Sequence, residues 1–226
     1  MPTTPRAHVA VSWSGGKDST LALAAALADE RLEVRTLVTT VTSGYERISM
    51  HGVRRTLLRR QAAALGLPLV EVPIAPGCSN DDYEGAMRLA LAPLAAEGVG
   101  GVVCGDLFLE DVRAYRERLL ASVALEGLFP LWGLDTRALA ERFVAEGYRA
   151  RLVCVDTTQL AAAFAGRVFD AALLAELPPS VDPCGERGEF HTFVSDSPVF
   201  ARPVPYDVGE VVLRDGRFAY CDLRSD

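Results

Sequence analysis

The sequence predicts an α/β protein, a parallel sheet with helices on both faces, completed by a smaller C-terminal α+β lobe. Three observations carry this expectation. Short, valine-rich apolar runs alternate with longer Ala/Leu-rich stretches through the first half of the chain, the rhythm of strands joined by right-handed helical crossovers. Runs such as Gly101-Val102-Val103-Cys104 are continuously apolar rather than alternating, as in strands covered on both sides. After Pro130-Leu131-Trp132-Gly133 the rhythm changes, and the chain closes on two short runs around Asp215-Gly216, a favourable hairpin turn.

The first strand is expected over 8–13, stopping at Ser14-Gly15-Gly16, because glycines punctuate an apolar run. A helix follows over 19–31, where Ala and Leu favour helix and Asp18 and Ser19 supply the acceptors and negative charge that suit a helix start. The same reasoning gives a strand at 34–41, a helix at 53–65 closed by Gly66, a strand at 68–72, a helix at 82–97 and a strand at 99–104. A helix from Glu110 to about Leu125 ends the first domain, assigned to 1–128. The substrate-binding lobe, 129–226, is read as a helix at 135–146, a strand at 149–155, helical pieces over 159–177 broken near Gly166, a polar turn at 182–188, a strand at 189–194 and the hairpin at 209–213 and 217–222.

At 226 residues the chain can bury roughly 70% or more of its unfolded surface, so no disulfide staple is needed. Five widely spaced cysteines without a CxxC pair, and only three histidines, suggest neither a disulfide framework nor a zinc site and fit a cytoplasmic protein. No leader or membrane span is expected, since no apolar run is long enough. Thirty acidic against 23 basic residues give a formal charge of −7, which argues against sequence-independent nucleic-acid binding. Small molecules or proteins are the expected partners. The oligomeric state is left open, a homo-oligomer included. Of the 23 basic residues, 22 are arginine; the exception is Lys17.

Lys17 stands in Ser14-Gly15-Gly16-Lys17-Asp18-Ser19, between the first strand and the first helix. Glycines let a backbone approach a phosphate, a helix N-terminus adds a favourable dipole, serines add donors, and a compact ammonium fits where a guanidinium would be bulky. The loop reads as an anion cradle, with an ordinary glycine turn as the plain alternative. It is not a GxxxxGK[ST] loop, because Val11 stands where that motif needs glycine and Asp18 follows the lysine. A second cluster, 182–193, gathers Cys184, Glu186, Glu189 and His191 around two glycines, and a polar turn entering a strand would look the same. Asp106 and Glu110 follow the strand ending at Cys104, at the carboxyl edge where open α/β sheets bind ligands. Arg113 could clamp an anion, or pair with Glu117 one turn on. The arginines 54, 55, 59 and 60 read first as a solvated helix face. Cys184 is a poor nucleophile candidate, since Glu186 nearby would raise its thiol pKa.

The loop SGGKDS after the first strand resembles that of the PP-loop ATPases, the N-type ATP pyrophosphatases of Rossmann-like HUP fold. With Pro130-Leu131-Trp132, Gly166-Arg167 and the turn Gly185-Glu186-Arg187-Gly188-Glu189-Phe190-His191-Thr192, nearly the whole chain resembles the diphthine–ammonia ligase family. The resemblance implies an ATP-dependent, AMP- and pyrophosphate-forming carbon–nitrogen ligase that adenylates a small-molecule or protein-borne carboxylate for attack by ammonia or an amine. It implies ATP and Mg²⁺ as cofactors. Ser14, Gly15, Gly16, Lys17, Asp18 and Ser19 would hold the phosphates, Asp18 the metal, and His51, Gly105, Asp106 and Arg113 would complete nucleotide binding. Glu186, Glu189 and His191, with Lys17 and Asp18, would carry the chemistry. The chain departs from the family where Gly105-Asp106-Leu107 replaces Gly-Ala-Ile and where a Ser-x-Tyr-Gln-Arg pattern keeps only its arginine and an acidic residue. The acceptor therefore stays open, as do two alternatives: a thiolation-type tRNA-modifying relative, and an ATP-binding module without turnover.

Overall fold

A computed structural model describes residues 5–44, 47–48 and 52–225. Strand β1 (Ala7–Ser12) enters the glycine loop, and helix α1 (Lys17–Ala28) begins at Lys17, two residues earlier than the sequence suggests. There follow β2 (Leu32–Thr42), a two-residue strand β3 (Arg47–Ile48), α2 (Arg55–Leu65), β4 (Leu69–Ile74), α3 (Asn80–Ala96), β5 (Val99–Val103), α4 (Glu110–Ala121) and β6 (Glu126–Leu128). Gly66 closes α2 in the left-handed region at φ 66°, where glycine carries no steric penalty. A reciprocal Ser79/Asp82 capping box starts α3.

The parallel strands lie in the order β4-β2-β1-β5-β6, with β3 antiparallel on the end of β2. The first two crossovers step one way from β1, and the third returns to its other side at β5. The chain thus creates a switch point between β1 and β5, where two neighbouring loops leave in opposite directions and open a crevice. Buried side chains of α3, α4 and their face of the sheet form one core around Leu91, Val102 and Leu120. The opposite face, with α1 and α2, shares a larger core with the second lobe through Phe143, Phe169 and Phe193.

That lobe is an antiparallel sheet, β8-β7-β10-β9, formed by β7 (Arg149–Asp156), β8 (Phe190–Asp196), β9 (Asp207–Arg214) and β10 (Phe218–Arg224), with α5 (Thr136–Ala145) and α6 (Ala171–Glu176) alongside. The β9–β10 hairpin turns at Asp215 and Gly216, with φ 51° and 63°.

One expectation needs correction. The helix expected to run to about Leu125 stops at Ala121, Ala124 turns back at φ 57°, and 126–128 become a fifth parallel strand beside β5. A three-residue strand is too short to show a period. The helical pieces expected over 159–177 are a 3₁₀ turn at Ala162–Phe164 and α6, and the break near Gly166 comes where the chain pairs with β7: Gly166 N–H donates to Leu152 C=O, and Leu152 N–H donates to Arg167 C=O. Tertiary hydrogen bonding overrides local helix propensity there. Among the described residues no helix is long and apolar enough to cross a membrane.

Candidate active site

The crevice at the β1/β5 switch point is a cleft of about 430 Å³, within the roughly 300–1,000 Å³ range of small-molecule sites. The β1–α1 loop forms its floor. Gly15 at φ 75° makes the turn and puts its carbonyl away from the cleft, where it accepts from Gln61 Nε2 (3.0 Å) and the Val194 N–H (2.9 Å). Ser14 Oγ lies 3.1 Å from Ser19 Oγ and accepts from the Gly16 N–H. Gly16 is the N-cap of α1 and has no side-chain acceptor to offer, so the cap itself consumes none of the first-turn donors.

Opposite the loop stand Gly105 and Asp106 beyond β5, Arg116 on α4, and the 184–192 turn of the second lobe. Gly105 is required by close approach: a Cβ there would lie 2.8 Å from the Asp18 carbonyl carbon and 3.0 Å from the Ser19 nitrogen. Gly105→Ala is therefore expected to push α1 off β5, costing about 1–3 kcal/mol. A melting curve and a nucleotide titration check it, and the titration should suffer more.

Lys17 is 1% exposed. Its ammonium donates to Asp18 Oδ1 at 2.6 Å and to the Cys184 carbonyl, and its backbone N–H donates to Thr192 Oγ1 at 3.0 Å. Burial alone would lower its pKa, but Asp18, Cys184 and Glu186 more than offset this and hold it above the ordinary lysine value. These bonds give the lysine a structural task. It fastens the second lobe's turn to the first turn of α1.

That turn is organised by two carboxylates. Asp182 Oδ1 accepts from the Cys184 and Glu186 N–H groups, and its Oδ2 accepts from Thr136 Oγ1 at 2.6 Å. Glu189, 1% exposed, accepts from the N–H groups of Asp182 (2.9 Å) and Arg187 (3.0 Å). Glu186 reaches across to accept the Leu107 N–H at 2.8 Å. Burial, with Asp18 and Asp106 nearby, pushes its pKa up to about 7. His191, next to Thr192 on β8, is pushed down to about 4 by burial and by Lys17, so it is neutral at pH 7. Burial pushes the Cys184 thiol up to about 12, which leaves it no nucleophilic role.

Ser14, Gly16, Lys17, Asp18, Ser19, Gly105, Asp106, Glu186 and His191 all line the cleft. Four expected residues do not. Glu110, the first residue of α4, is exposed outside it. Gly15 shapes the loop from behind. Glu189 turns inward to hold the 182–188 backbone. Arg113 lies on another face of α4, where it pairs with Glu117 at 2.8 Å and sits 4.8 and 4.7 Å from the Phe129 and Trp132 ring centres. His51 lies outside the described residues. Arg116, not singled out from the sequence, occupies the cleft instead, three residues along the same helix, and a count of helical turns from Leu109 and Val112 could have found it. Gln61 was also missed. Fully buried, it joins Trp13, Gly15 and Val194, and a lone glutamine in a helix of arginines gives no pattern that would reveal this. The arginines around it pair with carboxylates: Arg54 with Asp222, Arg55 and Arg59 with Glu71.

An open parallel sheet with a glycine loop and helix N-terminus at its switch point defines a Rossmann-like protein of the PP-loop type. Comparison with known proteins narrows this. Residues 7–126 match the diphthamide synthase N-terminal domain and residues 135–217 the diphthamide synthase C-terminal domain. The diphthine–ammonia ligase of Bos taurus is 25% identical over 176 residues, covering 76% of this chain and 66% of that protein. That of Danio rerio is 29% identical over 176 residues, covering 70% and 68%. The chain thus spans about two thirds of the length of these relatives. It belongs to the diphthamide synthase family.

Proposed function

We propose that this protein is an ATP-dependent, AMP- and pyrophosphate-forming carbon–nitrogen ligase of the diphthine–ammonia ligase kind, with an ATP-binding domain at 1–128 and a substrate-binding lobe at 129–226. The observation that carries the reading is the Ser14–Ser19 loop at the β1/β5 switch point, closed over by the 184–192 turn of the second lobe, in a chain of this family. ATP supplies the activation: a carboxylate oxygen attacks the α-phosphorus, the bond to pyrophosphate breaks with its electron pair leaving on pyrophosphate, and ammonia then displaces AMP from the acyl carbon.

The chain's own residues give this chemistry a place. Ser14, Ser19 and the Asp18 and Ser19 N–H groups in the first turn of α1 would hold the pyrophosphate, with the helix dipole favouring the charge that develops on it. Asp18 at the cleft wall would hold Mg²⁺ against the phosphates, a hard oxygen donor suited to that ion. His191 is neutral and can donate to or accept from the acyl group. Glu186, whose pKa is raised to about 7, would take a proton from the incoming ammonium and so free the lone pair with which ammonia attacks the acyl carbon.

Calorimetric titration with MgATP, combined with a pyrophosphate-release assay over mixtures of carboxylates and amines, tests the proposal. Binding followed by pyrophosphate release that needs both a carboxylate and an amine supports it. Binding without release would favour a nucleotide-binding module, and release dependent on tRNA would favour a thiolation-type enzyme. A pH profile tests Glu186. As the carboxyl loses its proton on going from pH 6 to 8, turnover should rise about tenfold beyond the increase due to free ammonia. Glu186→Gln should keep only the increase due to ammonia.

A further inference from the structure

Arg116 has features of a receptor that the proposed function does not assign. Its Nε lies 2.9 Å from Asp106 Oδ1, to which it donates, and 2.8 Å from Oδ2, which is out of line with the N–H. Asp106 is buried, so the guanidinium is fixed from behind. Neither terminal nitrogen of Arg116 has a hydrogen-bond acceptor among the described residues. The side chain forms part of the wall of the cleft and of a second cavity, about 460 Å³, lined by Ile74, Pro76, Cys78, Tyr83 and Tyr115. An anchored guanidinium whose two free nitrogens face open space is built to bind an oxyanion in bidentate fashion. Asp106 also keeps it protonated, raising its pKa against the effect of burial.

We propose that Arg116 binds the non-bridging oxygens of the nucleotide's α-phosphate, with Asp106 as the residue that positions it. The inference rests on the ATP reading above and adds a catalytic residue to it. The Ser14–Ser19 loop takes the terminal phosphates on one side of the cleft, and Arg116 stands on the other. The cavity beyond Arg116 carries Tyr83 and Tyr115, the polar side chains of Thr42 and Asn80 and, Arg116 apart, no charged residue among its described lining, which suits the flat, uncharged body of a nucleoside and not a polyphosphate. A nucleotide lying across both cavities puts its α-phosphate at the junction, where Arg116 is. As the carboxylate oxygen bonds to phosphorus, negative charge gathers on those non-bridging oxygens, and a fixed cation there stabilises it without reorganising. Asp106 occupies the position at which the family pattern has alanine, so this anchor is the chain's own.

The probe is adenosine 5′-(α,β-methylene)triphosphate with Mg²⁺, titrated into the full chain and followed by phosphorus NMR and calorimetry. In the wild-type protein the α, β and γ resonances should all move on binding. In Arg116→Gln the α resonance should return toward its free position while β and γ stay shifted, with affinity about tenfold lower, as for one lost charged contact. Arg116→Lys should restore part of the α shift. Asp106→Ala should reproduce the α effect, showing positioning, while circular dichroism verifies the fold of each variant. An α resonance that is the same in wild type and Arg116→Gln would overturn the assignment, and so would a change confined to β and γ. Wild-type protein that binds no analogue would remove the ATP reading itself, and the Arg116 role with it.

Discussion

Replacing Lys17 with alanine is expected to lower the melting temperature by roughly 10 °C and to weaken ATP binding at least tenfold. The ammonium is buried and satisfies Asp18 and the Cys184 carbonyl. Removing one partner from a buried ion pair costs about 3–5 kcal/mol, because the other is left without compensation, and the lower end applies here because the Asp18 side chain is 29% exposed. For a chain of this size each kcal/mol moves the midpoint by about 2–4 °C. A calorimetric melt and a nucleotide titration on the same sample check both parts. If the ammonium only gripped phosphate, the variant would melt like the wild type and lose affinity alone.

The second large effect is expected at Gln61, which touches no part of the cleft. Gln61→Leu keeps the volume but removes the acceptor for the Trp13 indole N–H (3.2 Å) and the donor to the Gly15 and Val194 carbonyls (3.0 and 2.6 Å). Unsatisfied buried groups cost about 1–3 kcal/mol each. The Gly15 carbonyl keeps its Val194 N–H, so the total should be about 2–4 kcal/mol, visible as a drop of several degrees in the melt. Nucleotide affinity should fall as well, because Gly15 is then held to β8 by the Val194 N–H alone, with the Lys17 N–H to Thr192 as the remaining tie further along the loop and no side chain cross-linking the two. Unchanged affinity would show that the loop keeps its shape without the glutamine.

Much of this was legible in the residues. Short valine-rich runs such as 99–103, bounded by helical stretches, read as strands covered on both faces, and the helices between them favour parallel pairing. The glycine loop could be placed at the sheet's carboxyl edge because a strand must stop and a helix start within five residues. What stayed hidden depends on contacts distant in sequence. Glu189 and Glu186 are three residues apart and carry the same side chain, yet one folds back onto its own turn while the other reaches Leu107. Arg113 and Arg116 are one helical turn apart, and only packing decides that the first stacks on Phe129 and Trp132 while the second enters the cleft. β6 is too short to carry a period and exists because β5 offers it an open edge.

The sequence by itself determined the α/β layering, the place of the glycine loop and the family, since strand and helix periods and a contiguous glycine motif are local properties. Only the tertiary structure decided what Lys17 does. Its neighbours in sequence are a glycine and an aspartate. The carbonyl it holds lies 167 residues away, and a buried ammonium must satisfy its donors wherever the fold brings an acceptor.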